Sequence, residues 1–336
     1  MGFPDSVAGW AFLVCAAFAF APRLAGMPEA AAWLEDPDFR VRIKAVRALG
    51  ELEPSPEAAL SLLREAAGDR HPSVREEAID ALLRVRIGPE DALSVLSELI
   101  GDPYASIRKK VIAAVNRLPP GSPKALEILR AAAGDRDPAV CESAMEAVAK
   151  SRLKAEKRAS VLARAVSSPF VEVRLKAVRA LASLDHGSAA APLIQALTDP
   201  GERVSTSIMT TSKPNSQEGE EKTTKSHEWV SLEAVEALKK LGPKARDARP
   251  ALRGLLADRR VLLLARVTTR RYSGGKVAVE ETLIVKPLRL FAVQALESIG
   301  VEAAQDIALL RGMLTDDEEE VRNAVRALLR RVAPGE

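Results

Sequence analysis

Three histidines, two cysteines and the adjacent carboxylates Glu280 and Glu281 carry side chains that could do chemistry in this chain. His71 precedes Pro72, His186 precedes Gly187, and His227 stands in a Ser/Thr/Lys-rich stretch. A transition-metal site needs several His, Cys or carboxylate ligands at spacings that converge on one point. None of the three histidines has a second ligand at such spacing, so each reads as a solvated turn or loop residue. Cys141 has no histidine near it in sequence to generate a thiolate and reads as a small buried residue. Gly274-Gly275 lacks the spacing of a phosphate-cradling loop and opens no helix. Glu280 and Glu281 are neighbours in an extended segment, where successive side chains point to opposite faces, so they cannot converge on one substrate. The expectation is a non-enzyme with no cofactor and no metal.

The basic residues are the next candidates. Arg266, Arg270 and Arg271 cluster beside Tyr272 and read as a partner contact, whereas Arg326, Arg330 and Arg331 suit the C-terminal end of a helix dipole. The chain has 49 basic and 46 acidic residues among 336, a net charge of +3, which is too balanced to announce a nucleic-acid-binding protein. Aromatics are 4% and Ala, Leu, Val, Arg and Glu dominate, a composition that favours helices over a sandwich or barrel. Two cysteines cannot form a disulfide framework.

What positions these residues is a repeat. An apolar-basic dipeptide recurs at Val41-Arg42, Val74-Arg75, Ile107-Arg108 and Val173-Arg174, with Val140-Cys141 between, at steps of 33 residues. Val230-Ser231 and Leu288-Arg289 follow at steps of 57 and 58, and Val321-Arg322 returns to 33. The long steps exceed the period by 24 and 25, so eight units carry two insertions of nearly equal size. A Leu six residues before the turn position (Leu63, Leu96, Leu129, Leu162, Leu193, Leu252, Leu310) marks a first helix, often opened by Pro near its start. The second helix is the V-R-x-x-A-x-x-A-L run, whose central Ala lets neighbours approach closely. One such pair cannot bury its own apolar stripe, so the pairs must stack.

The D-x-x-x-x-V-R-x-x-A-x-x-A-L pattern resembles the HEAT repeat in its short bacterial form, over residues 28–333. The resemblance implies an all-α, right-handed α-α superhelix of about eight helix pairs, with a structural ladder of Asp and the Arg six positions on. Asp36/Arg42, Asp69/Arg75, Asp102/Arg108 and Asp316/Arg322 match it. Cys141, Ser168 and Ser231 depart from it, so the ladder is expected to be weakest in the middle. The family's second helices line a concave side. Exposed positions there read Lys44, Glu77, Lys110, Ser143, Lys176, Glu233, Phe291, alternating in sign and offering neither the sustained positive charge nor the aromatic platforms that nucleic acid requires.

Both insertions fall between the first and second helix of a unit, at 201–229 (repeat 6) and 259–286 (repeat 7). The second is rich in Val, Leu, Ile and Thr around Gly274-Gly275, and reads as a β-hairpin with strands near 261–272 and 277–286. Pairing across that turn puts Leu262, Leu264, Tyr272, Val277, Val279, Leu283 and Val285 on one face with Arg266 and Arg270, and Thr269, Arg271, Glu280 and Thr282 on the other. The first reads as strands near 203–212 and 220–229. Neighbouring helix pairs stand about 8–10 Å apart, the width of two strands, so the hairpins are expected to join into one small four-stranded sheet.

Residues 1–27 form a separate apolar N-terminal segment. Residues 7–21 are uncharged and mostly apolar, the length of a signal-peptide h-region but short for a membrane span, and the first residues lack Lys or Arg. The readings are an export signal or tether, or a cap helix. Export is slightly favoured over a cytoplasmic location, and any membrane association would run through 7–21 alone. The overall reading is a protein-binding scaffold, with no nucleic acid expected. The alternatives are an accessory subunit or a HEAT-like enzyme resembling bilin lyases or DNA glycosylases, and a structural part of a cell-envelope assembly.

Overall fold

The computed structural model describes residues 27–51, 56–85, 87–119, 121–212, 219–273, 276–301 and 304–333. The apolar segment 7–21 and the Gly274-Gly275 turn lie outside these. The chain divides into two compact units, Met1–Arg152 and Leu153–Glu336.

The first unit holds four helix pairs among its described residues: α1 (Met27–Leu34) with α2 (Phe39–Glu51), α3 (Pro56–Ala67) with α4 (Pro72–Leu82), α5 (Pro89–Leu99) with α6 (Ala105–Arg117), and α7 (Pro123–Ala133) with α8 (Pro138–Lys150). Proline opens α3, α4, α5, α7 and α8, where its missing N–H removes no helical bond. At the N-caps of α4 and α8, His71 and Asp137 accept from the backbone N–H of Ser73 and Ala139. The second helices α2, α4, α6 and α8 pack in sequence, one on the next.

The second unit repeats the plan. Its pairs are α9 (Ala155–Val166) with α10 (Val171–Ala182), α11 (Ala190–Ala196) with α12 (Val230–Leu241), α13 (Arg249–Leu256) with α14 (Leu288–Ile299), and α15 (Ala304–Gly312) with α16 (Glu319–Val332). Helices α10, α12, α14 and α16 form the second-helix layer. Between α11 and α12 run β1 (Glu202–Ser212) and β2 (Gly219–Trp229); between α13 and α14 run β3 (Val261–Ser273) and β4 (Lys276–Pro287). They form one antiparallel sheet in the order β1-β2-β3-β4.

The core follows the period. The position of Ala45 recurs as Ala78, Val111, Ala144, Ala177, Ala234, Ala292 and Val325, and all eight are fully buried. Leu63, Leu96, Leu129, Leu162, Leu193, Leu252 and Leu310 of the first helices are buried with them. Each buried Leu stabilises its stack by about 1.5–3 kcal/mol. Residues three positions away, such as Arg75 and Ala81 around Ala78, lie on the same helix face and are buried too, so the 33-residue spacing returns the same face to the interior of each unit.

The hairpins interrupt a unit without dislocating it. Val230 N–H donates to Gly201 C=O at 3.0 Å, and Leu288 N–H donates to Arg260 C=O at 3.0 Å. The chain leaves and re-enters each helix pair at adjacent points, so the second helix starts where an uninterrupted unit would start it. Gly201 is needed at its neck. A Cβ there would stand 2.3 Å from Arg174 Nη2 and 2.8 Å from Asp199 Oδ1.

One feature of the expected hairpin is corrected. Leu262 does not share a face with Val285. Its register partner is Lys286, while Val285 faces Leu263, because a bulge between Leu263 and Ala265 shifts the pairing by one residue. The shift turns Leu262 into the protein, where it is buried, and leaves Val285 exposed.

Candidate partner-binding site

The sheet stands away from the helices. Residues 276–285 of β4 are exposed on both faces, and so are residues 204–211 of β1. The register sorts the side chains. One face carries Val204 and Ile208 on β1 and Tyr272, Val277, Val279, Leu283 and Val285 on β3 and β4, all exposed, with Ile208 at 65% and Val279 at 63%. Between these two apolar bands lie Glu221, Thr223 and Lys225 of β2 and Arg266, Thr268 and Arg270 of β3. The opposite face is mostly polar.

The three arginines expected to form a basic contact do not make a positive patch. Arg266 lies 3.4 Å from Glu281, Arg270 lies 3.2 Å from Glu221, and Arg271 lies 3.3 Å from Glu220 and 3.2 Å from Glu280. Glu220 and Glu221 come from the other insertion, about fifty residues away, so inspection of one insertion alone could not reveal them. Tyr272 stands at the tip, paired with Val277 and Gly219.

Two contacts root the sheet. Trp229 Nε1 donates to Leu263 C=O at 2.9 Å, tying the first hairpin to the second. Arg179 on α10 donates to Glu228 on β2 and Glu233 on α12, each at 2.7 Å, and Glu228 also accepts from Arg203 on β1 at 2.6 Å. The Arg179 bond holds the Glu228 carboxyl below the usual range despite partial burial, with Arg203 adding to it. Where the sheet meets α14 and α16, a shallow hollow of about 570 Å³ is floored by Leu264, Leu290 and Phe291 and rimmed by Lys286, Glu320 and Asn323. Lys286 is paired with Glu320.

The ladder connects successive pairs. The guanidinium fork of Arg42 grips Asp69 of the next pair at 2.7 and 2.9 Å, and its Nη1 donates to the Asp36 carbonyl at 2.7 Å. The Asp36 and Arg42 side chains therefore belong to different links; Asp36 Oδ1 instead accepts the Asp38 N–H. Arg75–Asp102 (2.6 Å), Arg108–Asp135 (2.7 Å), Arg174–Asp199 (2.6 Å) and Arg289–Asp316 (2.8 Å) repeat the geometry. Arg322 Nη1 donates to the Asp316 carbonyl. Burial would raise the Asp69 carboxyl, but the Arg42 fork and the His71 N–H hold it below the usual range. In Asp316 the Arg289 fork outweighs burial in the same sense.

The interruptions show how the links are replaced. Cys141 Sγ lies 3.2 Å from the Asp135 carbonyl, the contact an Arg Nη1 makes elsewhere, and burial pushes its thiol pKa up. Ser168 Oγ accepts the Phe170 N–H, as the Asp carboxylates do two residues on. Ser231 is fully buried with its hydroxyl unpartnered, and Asp258 is held instead by Arg260 at 2.7 Å.

Several of the alternating charges along the second helices are cross-links. Arg47 reaches Glu77 at 3.0 Å, Lys110 reaches Asp80 at 2.8 Å, and Lys239 donates to Gln294 at 3.0 Å. The histidines are not free turn residues. His71 stacks on Phe39 with centroids 3.8 Å apart, His186 accepts the Ser188 N–H, and His227 is paired with Glu202. Among the described residues no group of three or more His, Cys, Asp or Glu is arranged to hold a metal ion, and no helix is long and apolar enough to cross a membrane.

Two repeat-family models match this chain. Residues 27–116 match the family of HEAT repeats, and residues 173–199 match the PBS lyase HEAT-like repeat. A search of the curated proteins gives no match. Among solved structures, human deoxyhypusine hydroxylase in complex with glycerol is similar at 17% identity, over 97% of this chain and 91% of that one, with a TM-score of 0.28. Kap121p bound to Nup53p is similar at 12% identity, over 99% of this chain and 37% of that one, with a TM-score of 0.46. The E. coli protein YibA gives 18%, 98%, 99% and 0.34 respectively. With the two repeat matches and the burial pattern that recurs eight times, this chain is a HEAT-like repeat protein, a helical repeat scaffold carrying an inserted four-stranded sheet.

Proposed function

We propose that the protein is a non-catalytic scaffold that holds a protein partner on the projecting sheet and in the hollow at its root. The observation that carries this reading is the exposed apolar face. Ile208, Val277, Val279, Leu283 and Val285 stand in solvent on one side of a sheet that covers no core of its own. Exposed apolar groups gathered in one place, rimmed by polar residues, mark interaction surfaces rather than ordinary monomer surface. Their polar surroundings are internally neutralised arginines and threonines, which suit a protein surface better than a phosphate backbone. The ladder and the second-helix ion pairs are spent on holding repeats together, so neither supplies a reactive group. Kap121p, a repeat protein solved with Nup53p bound, shares only a distant fold likeness and adds no weight.

The test compares the full chain with a variant in which residues 203–228 and 261–286 are replaced by short turns. Each serves as bait, with bound proteins quantified by mass spectrometry. The expected result is a protein retained by the full chain and lost from the variant. Equal retention by both would move the site to the helical surface.

A further inference from the structure

Strand β4 is an edge of the sheet. It pairs with β3 on one side, and Lys276–Val285 are exposed on both faces. Natural proteins blunt such edges with short strands, inward charges or covering elements. This one is long and apolar, with Val277 57%, Leu283 52% and Val285 47% exposed.

Its sequence is close to a palindrome about Glu281. Two copies of β4 placed antiparallel about a dyad at Glu281 would set Val277 opposite Val285 and Val279 opposite Leu283 on the apolar face, with Ala278 opposite Ile284 on the other. Side chains opposite each other in an antiparallel pair share a face, and a dyad perpendicular to the sheet keeps like faces together. Moving the register by two residues would put Glu281 against Leu283 and Glu280 against Ile284, so the palindromic register is the one that matches apolar to apolar. Two of the charges that this register brings together already have partners in their own chain. Glu281 lies 3.4 Å from Arg266, and Lys286 is paired with Glu320. The eleven residues Lys276–Lys286 would pair over about 36 Å. The other edge, β1, carries only Val204 and Ile208 on that face, with threonine between them.

We infer that β4 pairs with β4 of a second copy of this chain, joining two four-stranded sheets into one of eight strands. This rests on reading the sheet as an interaction element and names a second copy as an occupant of its edge. The apolar face then runs across the dyad, and the partner site is doubled.

Sedimentation velocity on the purified full chain tests it. The wild type should sediment as a dimer. Val279→Lys and Leu283→Glu should each sediment as monomers, because each sets a charge against an apolar side chain of the other copy. Both positions are exposed, and an unchanged far-UV circular dichroism spectrum checks the fold. Mixing the two variants should restore a dimer, because the new Lys and the new Glu then face each other in the proposed register. A monomeric wild type, a dimer that survives both substitutions, or a mixture that stays monomeric would each overturn the inference. A monomeric wild type that still loses its protein partner when the hairpins are removed would leave the scaffold reading standing.

Discussion

The ladder permits one quantitative prediction from geometry. Arg75 donates through Nε and Nη2 to Asp102 at 2.6 and 3.0 Å, and through Nη1 to the Asp69 carbonyl at 2.8 Å. The side chains are 10% and 3% exposed. Arg75→Met keeps most of the stem but removes the guanidinium, leaving Asp102 buried with the Tyr104 N–H as its remaining partner of those described. Stranding one member of a buried pair costs about 3–5 kcal/mol, of which most is the uncompensated charge rather than the lost attraction. Arg75→Met with Asp102→Asn removes both charges and should recover more than half of that loss. Arg266→Met breaks a half-exposed pair and should cost less than about 1 kcal/mol. A repeat array need not unfold as one step, so amide hydrogen exchange in α4 and α6 is the readout, backed by urea melts. The reasoning is refuted if Arg75→Met costs no more than Arg266→Met, or if the double variant is worse than the single one.

Other predictions follow from single contacts. Trp229→Phe removes the donor to Leu263 C=O and should speed amide exchange at the β2–β3 seam, for a loss of about 1 kcal/mol, while exchange within β3–β4 stays unchanged. Ser231→Ala deletes a buried hydroxyl with no partner and should leave stability unchanged or raise it by up to about 1 kcal/mol in a urea melt; a loss above that would mean the hydroxyl has a role. Gly201→Ala forces Arg174 and Asp199 apart and should lower the melting midpoint, at a cost of about 1–3 kcal/mol. For pH, Asp69, Asp258, Asp316 and Glu228 have folded-state pKa values below the ordinary carboxylate range. Their contribution is complete above the unfolded values of about 4 and is lost as pH falls through the depressed folded values. Stability should therefore hold flat from neutral pH to about 5 and fall below about 4. A decline that begins well above pH 5 would contradict this assignment to the carboxylates.

Much of the fold was legible because its signals are periodic. The dipeptide at 41, 74, 107 and 140 fixes the second helices, and the two long steps locate the insertions within a residue or two of the strands observed. The pairing of two hairpins into one sheet is legible from the match between helix-stack and strand spacing. What was not legible depends on tertiary geometry. The ladder's side-chain partner is the Asp of the next unit rather than the one six residues back, because the Arg points along the stack while its Nη1 turns to its own loop. The bulge at Leu263/Ala265 leaves no mark in an apolar run, yet it decides that Leu262 is core and Val285 is surface. The arginine cluster reads as a contact in the sequence because two of its neutralising carboxylates, Glu220 and Glu221, sit on a strand from the other insertion.

The central claim is that two separate insertions build one exposed surface for a protein partner. Site-specific photo-crosslinking tests it most directly, with a photoreactive residue placed in turn at Ile208 and Val279 on the apolar face, and at Lys157 on a first helix as a control. The account predicts crosslinks to another polypeptide chain from both sheet positions and none from the control. Crosslinks from the control alone, with both sheet positions silent, would contradict it.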